Sequence, residues 1–117
     1  FGNGGHKPGS GSAAALNGLL ACKLAATVAQ LTLGRPERAY LEVAPEMTAL
    51  RTQLVEQFEV SLVDLFVRDC ECFDRVIHLR RDRDAATEDG DRRRKGEAAL
   101  GELRVATDIP IEIAKTC

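Results

Sequence analysis

Hydrophobic residues recur every three or four positions through much of the chain, which is the spacing of one face of an α-helix. The longest run begins near Pro45 and continues to about Arg80 without a further glycine or proline. Its apolar positions are Met47, Leu50, Leu54, Phe58, Leu62, Leu65, Phe73 and Val76. Because so long a helix must cover its whole apolar face, the pattern predicts a helical bundle completed by a second copy of the chain.

An earlier segment, residues 13–33, carries a single charge, Lys23. Small residues recur in it every four positions and predict a smooth stripe on which another helix packs closely. These residues are Ala14, Gly18, Cys22 and Ala26. The segment is long enough to span a membrane, but its central lysine would cost about 3 kcal/mol on insertion. A buried core helix is therefore favoured, ended at Gly34 by a left-handed cap.

The rest of the chain predicts further helical segments and no β-strand. Residues 80–96 are crowded with charges of both signs, which favours a solvated hinge over a nucleic-acid-binding patch. A third helix is predicted over residues 91–107, and segment 109–114 breaks at Pro110 before it resumes as a turn or short helix. The fold class is all-α: a helical bundle with one long central helix, preceded by a glycine-rich loop over residues 1–12.

Asp69 is the charged residue that departs from this pattern. It lies four residues after Leu65 and four before Phe73, at the centre of the apolar face. A carboxylate there must be paired, protonated or directed into a polar cavity. A functional acid is one interpretation, and a structural bond to Lys23 or to a neighbouring helix is the other.

The stretch PGSGS, from Pro8 to Ser12, leads directly into the alanine-rich helix. Glycines at that place allow a ligand to approach backbone amides at a helix N-terminus, where partial positive charge attracts carboxylate or carbonyl oxygens. The alternative is a flexible lead-in whose Ser10 or Ser12 caps the helix. The pattern of this stretch alone favours the second interpretation.

Composition narrows the functional classes. The net charge of −2 provides no general attraction for nucleic acid or for an acidic membrane surface. The four cysteines and two histidines lack the spacing of zinc ligands, so no metal is expected. Free thiols in a reducing, cytoplasmic location are the simplest interpretation.

Three blocks, in order along the chain, together resemble the C-terminal family of formiminotransferase-cyclodeaminase, which includes methenyltetrahydrofolate cyclohydrolases. The block from Pro8 to Arg35 is similar to the family's Pro-Gly-Gly-Gly-Ser loop, alanine-rich helix and Leu-Thr-x-Gly-Lys end. RDCECFDRV, residues 68–76, resembles its Asp-Ala-Glu-Ala-Phe stretch, with Asp69 in register with the catalytic aspartate. VATDIPIEIA, residues 105–114, is similar to its segment ending in Pro-Leu-x-Ile-Ala.

The resemblance implies an enzyme that acts on one-carbon tetrahydrofolates. The expected activity is that of a methenyltetrahydrofolate cyclohydrolase or a formimidoyltetrahydrofolate cyclodeaminase, with no bound cofactor and the folate as substrate. Asp69 would be catalytic. The substrate-binding residues would be Pro8, Gly9, Ser10, Gly11 and Ser12.

Residues 1–117 are expected to form a single, incomplete domain of the cyclodeaminase/cyclohydrolase type, because the family's later helices are not in the sequence. The expected partners are the folate and a second copy of the chain, in a homodimer, with neither nucleic acid nor membrane. The alternative function is a non-catalytic helical dimerisation or scaffold module that keeps the family's core.

Overall fold

The computed structural model describes Phe1 and residues 5–117, and within these residues every regular element is a helix. The predicted all-α class is confirmed. Its helices are α1 (Ser10–Leu33), α2 (Arg38–Gln53), α3 (Glu59–Asp84) and α4 (Asp89–Thr116), with a π-helical turn (Leu54–Phe58) between α2 and α3. Part of the predicted glycine-rich loop, residues 2–4, lies outside the described residues.

The long central helix is longer than predicted. α2, the π-helical turn and α3 follow one another without a break, so the helical path begins at Arg38 and not near Pro45, and ends at Asp84 and not at Arg80. Pro45 lies inside α2. A proline inside a helix lacks an amide donor and crowds the carbonyl four residues earlier. The helix continues through it because α2 packs along α1.

The predicted break at Pro110 is also wrong, since α4 is continuous from Asp89 to Thr116. Ile109 and Ile113, on either side of the proline, are 3% and 2% exposed. Both belong to the core that α4 forms with α3. Burial of these two side chains favours the helical path at a position where local rules predict its end.

The charged segment is mostly helical and not a long hinge. Only residues 85–88 lie outside α3 and α4. Near the start of α4, the Asp91 carboxylate forms ion pairs with Arg94 at 2.8 Å and with Lys95 at 2.7 Å. Acids followed three or four residues later by bases support a solvated helix, so the mixture of signs stabilises the first turns of α4.

The small-residue face of α1 contacts α3, as predicted for Gly18. A Cβ atom at Gly18 would lie 3.2 Å from Leu62 Cδ1 and 2.6 Å from the Cys117 sulfur. Ala14, however, is exposed, and Ala15 occupies the buried position. Gly34 has φ −80° and not the predicted left-handed conformation.

The opposite face of α1 is apolar and exposed, so the expectation of a buried core helix is met on one side only. Its exposed side chains are Leu20, Leu24, Val28 and Leu31, between 53% and 69% accessible. α1 has the length and hydropathy of a membrane span. Of the apolar 18-residue stretch of this helix, 17% is buried inside the structure. Core helices and signal sequences share these properties, so this single helix is weak evidence for a span.

The core is thin. Its buried members form one cluster of five residues, Ala15, Leu65, Cys72, Ile109 and Ile113, and further buried apolar residues, among them Leu62 and Val76, lie along the helices. The radius of gyration is 20.8 Å and the extents are 75 × 26 × 15 Å, whereas a compact domain of this length has a radius of gyration of about 13 Å. The chain is therefore a flat, elongated helical layer, and the candidate site lies where α1 begins, beside the middle of α3.

Candidate active site

Asp69 extends from α3 to the N-terminal turn of α1. Its Oδ2 accepts hydrogen bonds from the Ser12 backbone amide at 2.7 Å and the Ser12 hydroxyl at 2.6 Å. Asp69 is 9% exposed and Ser12 is completely buried. The carboxylate is thus paired with a neighbouring helix and not with Lys23, which forms an ion pair with Glu59.

This carboxylate caps α1. Helix α1 begins at Ser10 and not after Ser12, with Gly9 as an extended N-cap residue that provides no side-chain acceptor. The predicted cap from Ser10 or Ser12 is therefore wrong. The first amides of a helix lack partners within the helix and carry partial positive charge. Asp69 satisfies one of them from outside, so the acid and the helix end stabilise each other.

Gly11 leaves room for the carboxylate. A Cβ atom at this position would lie 2.2 Å from Asp69 Oδ1 and 2.7 Å from its Cγ, far inside ordinary contact distances. At Gly9 the corresponding atom would lie 4.0 Å from Asp69 Oδ2, an ordinary contact. The space that glycine provides at position 11 is therefore filled by Asp69, where the family resemblance implied a bound substrate.

An open cleft of about 400 Å³ lies beside this contact. It is lined by Gly9, Ser10, Gly11, Asp69, Phe73, Leu103, Ala106, Thr107, Pro110 and Ile111. Of the six predicted site residues, four line the cleft together. Ser12 is buried behind Asp69 and Pro8 is not part of the lining. Asp69 is the one charged side chain in the described lining.

The two oxygens of Asp69 differ in their surroundings. Oδ2 accepts both hydrogen bonds from Ser12, and Oδ1 accepts none from the residues that the structure describes. Every fully buried side-chain nitrogen or oxygen in the described residues has a hydrogen-bond partner. Oδ1 has none among these residues and is therefore not fully buried. Because Asp69 lines the cleft, Oδ1 is the oxygen available to a molecule bound there.

The wall from α4 was missed by sequence reasoning. Leu103, Ala106, Thr107 and Ile111 line the cleft, whereas the sequence predicted a helix and a family-like block in this segment but no site residue. Pro110 has no amide to donate to the Ala106 carbonyl, four residues earlier in the same helix. That carbonyl lacks its usual helical donor at the wall of the cleft.

Ion pairs hold α3 and α4 together along the cleft. Arg75 donates to Glu102 at 2.6 Å, and Arg68 donates to Glu112 at 3.0 Å. The Arg75 hydrogen bond holds the pKa of Glu102 below its usual range. The buried Cys72 thiol donates to the same carboxylate at 3.3 Å, and burial raises the pKa of that thiol.

The segment before α1 is fastened to α3 at a second point. Asp74 is bonded to His6 at 2.7 Å and to Lys7 at 3.0 Å. The hydrogen bond with His6, then that with Lys7, lowers the pKa of Asp74 to about 2. The His6 ring also lies 6.3 Å from that of Phe73, a lining residue of the cleft. No sequence signal indicated this contact, because its partners are 67 and 68 residues apart.

The fold and site together define an all-helical protein with one carboxylate beside an apolar cleft at a helix N-terminus. The sequence model of the formiminotransferase-cyclodeaminase family matches residues 2–117, and the chain belongs to that family. The resemblance read from the sequence is confirmed.

A methenyltetrahydrofolate cyclohydrolase of Methylorubrum extorquens is 30% identical to the chain over 112 residues. The matched region is 94% of this chain and 50% of that protein, so the chain spans about half the length of this relative. No solved structure matches the chain significantly.

Proposed function

We propose that the protein is a methenyltetrahydrofolate cyclohydrolase, which hydrates 5,10-methenyltetrahydrofolate and opens it to 10-formyltetrahydrofolate. The observation that carries the proposal is the position of Asp69, with Oδ2 bonded to Ser12 and Oδ1 available to the cleft. Family membership and the name of the Methylorubrum relative support the same substrate class.

Asp69 has two tasks in this proposal. The methenyl bridge is a delocalised cation, and a fixed carboxylate beside an apolar wall stabilises it electrostatically. As water attacks the bridge carbon, Oδ1 accepts one of its protons, and a tetrahedral carbon between two nitrogens forms. One carbon–nitrogen bond then breaks, Asp69 returns the proton to the departing nitrogen, and the second water proton is released as the formyl oxygen forms.

The rest of the cleft suits a flat, partly polar ring system. Its volume of about 400 Å³ falls within the range of small-molecule sites. Phe73 and Ile111 supply apolar surface, and Ala106, whose carbonyl receives no amide hydrogen bond from Pro110, lies in the same wall. Ser10, at the start of α1, is exposed at the same cleft and offers a hydroxyl.

Cyclodeamination is the second candidate reaction. It closes 5-formimino-tetrahydrofolate to the same methenyl cation and expels ammonia, so it needs the same carboxylate and proton transfer. The family includes this activity by name. The printed name of the relative favours the cyclohydrolase, and an assay with both folates separates the two.

We also propose that the protein is a cytoplasmic homodimer. Helix α3 exposes Val60, Val63 and Val67 on the side away from its buried residues, as α1 does with its leucines. Two neighbouring helices that are apolar on both sides present more hydrophobic surface than a soluble monomer usually exposes. A second copy of this flat layer would cover it.

The test replaces Asp69 by asparagine, which keeps the shape of the side chain and removes its charge and proton acceptor. Hydration of the methenyl folate, followed by the loss of its ultraviolet absorbance, should slow by about 10²-fold or more. Asp64→Asn is the matched control, because Asp64 lies on the same helix with its side chain 64% exposed. It should match the wild type.

Two outcomes would contradict the proposal. If Asp69→Asn protein is fully active per folded molecule, Asp69 is not catalytic. If the wild-type protein turns over neither folate, the scaffold interpretation is favoured. Circular dichroism of each preparation provides the folded fraction, which separates lost catalysis from lost structure.

A further inference from the structure

Ser12 lies at the site, but the proposed reaction gives it no direct role. It was predicted to bind substrate, but its side chain is completely buried behind Asp69. Its amide and hydroxyl both donate to Asp69 Oδ2, and its Oγ lies 3.1 Å from the Cys70 sulfur. All of its polar contacts in the described residues are therefore directed at the carboxylate or away from the cleft.

The hydrogens in this cluster have one consistent arrangement. An ionised carboxylate only accepts hydrogen bonds, so the single Ser12 hydroxyl hydrogen points to Asp69 Oδ2. In the contact between Ser12 Oγ and Cys70, the thiol is then the donor. The result is a directed chain from Cys70 through Ser12 to Asp69, which fixes the rotation of the serine hydroxyl.

A carboxylate that is not held in this way rotates freely, because the terminal torsion of aspartate is broad. Two donors on one oxygen, both from the first turn of α1, define its plane and direction. Gly11 adds to the constraint, since Oδ1 occupies the place of its missing side chain. The orientation of Oδ1 is thus determined by Ser12, which is buried behind Asp69, and by the space that Gly11 leaves.

We infer that Ser12 is a positioning residue, which directs Asp69 Oδ1 at the attacking water by holding Oδ2 from behind. This inference rests on the proposed function. Its consequence is a division of work within the PGSGS stretch. Residues 9–11 face the cleft, whereas Ser12 acts only through Asp69.

The experiment is a double-mutant cycle on turnover of the methenyl folate. Ser12→Ala should lower kcat about 10- to 100-fold with a smaller change in KM, because alignment is lost and the binding surface is kept. In the Asp69→Asn background the same substitution should change kcat less than about twofold, because the group that it acts through is gone. Ser61→Ala, an exposed serine on α3, is the control and should leave both constants unchanged.

Cys70→Ala is a second variant that keeps both bonds to Asp69 and protects the test against misfolding of Ser12→Ala. It should lower kcat in the same direction by a smaller factor, again only when Asp69 is present. Equal kcat losses in the two backgrounds, or none in the wild-type background, overturn the positioning role alone. A wild-type protein that turns over neither folate refutes the proposed function, and the positioning role with it.

Discussion

Replacing Gly11 by alanine tests the contact on which the whole site depends. The new methyl carbon would lie 2.2 Å from Asp69 Oδ1, 2.7 Å from Cγ and 2.9 Å from Oδ2. To restore ordinary contacts, the carboxylate must move by more than about 1 Å. A side chain moves that far by rotation with little strain. The cost is therefore the loss of the two Ser12 hydrogen bonds, now 2.6 and 2.7 Å long.

The size of the effect follows from those two bonds. A hydrogen bond to a charged group contributes about 1.5–3 kcal/mol, so losing both costs about 3–6 kcal/mol. Movement towards the cleft restores part of the hydration of the carboxylate, and alanine is up to about 1 kcal/mol better than glycine in a helix. The net expectation is a decrease of about 2–4 kcal/mol in the free energy of unfolding.

Urea unfolding followed by far-ultraviolet circular dichroism measures this quantity, with Gly101→Ala as the matched control. Gly101 lies in α4, and no other side chain or distant backbone lies within 4 Å of its missing Cβ. That substitution should stabilise the protein by about 0.5–1 kcal/mol. If Gly11→Ala is as stable as the wild type, or is stabilised like the control, the packing of Asp69 against α1 is not as described.

Three further predictions concern the fold around the site. Gly18→Leu should lower stability by about 1–3 kcal/mol or more through overpacking against Leu62, and a melting temperature equal to that of the wild type would refute close packing there. Because the pKa of Asp74 is lowered from 3.8 to about 2, its contribution to stability is present above pH 3.8 and lost as pH falls through 2. Asp74→Asn should therefore be less stable than the wild type at neutral pH and approach it near pH 2; equal stability at neutral pH would show that the bonds of Asp74 with His6 and Lys7 contribute nothing. Leu24→Lys should weaken self-association in sedimentation experiments at micromolar concentration, and a wild-type monomer would contradict the proposed dimer.

Asp69 could be located from the sequence because helical periodicity makes a charge on an apolar face visible. The all-α class followed from the same signal. The hydrogen-bond partner of Asp69 could not be found this way. Ser12 is 57 residues away, and a repeating pattern carries no information on which helices face each other.

The two helix-internal prolines show where local sequence rules predict a helix boundary that the structure does not have. Local rules begin a helix near Pro45 and break one at Pro110, because a proline inside a helix removes an amide donor. In the structure, packing of α2 on α1 and burial of Ile109 and Ile113 outweigh that local preference. Consequently the α4 wall of the cleft, which is one continuous helix, was divided between a predicted helix over residues 91–107 and a separate segment over residues 109–114.

The cap that α3 provides for α1 also has a consequence for how the chain folds. Because the acceptor for the Ser12 amide belongs to another helix, the first turn of α1 cannot reach its full stability before the two helices dock. Local fraying of this turn and separation of the helix pair are then one cooperative opening event, which amide hydrogen exchange would report as a shared protection factor for both. Docking of the Asp69 carboxylate on α1 and completion of the fold occur in the same step, so a molecule in which this contact is open is also a partly unfolded one.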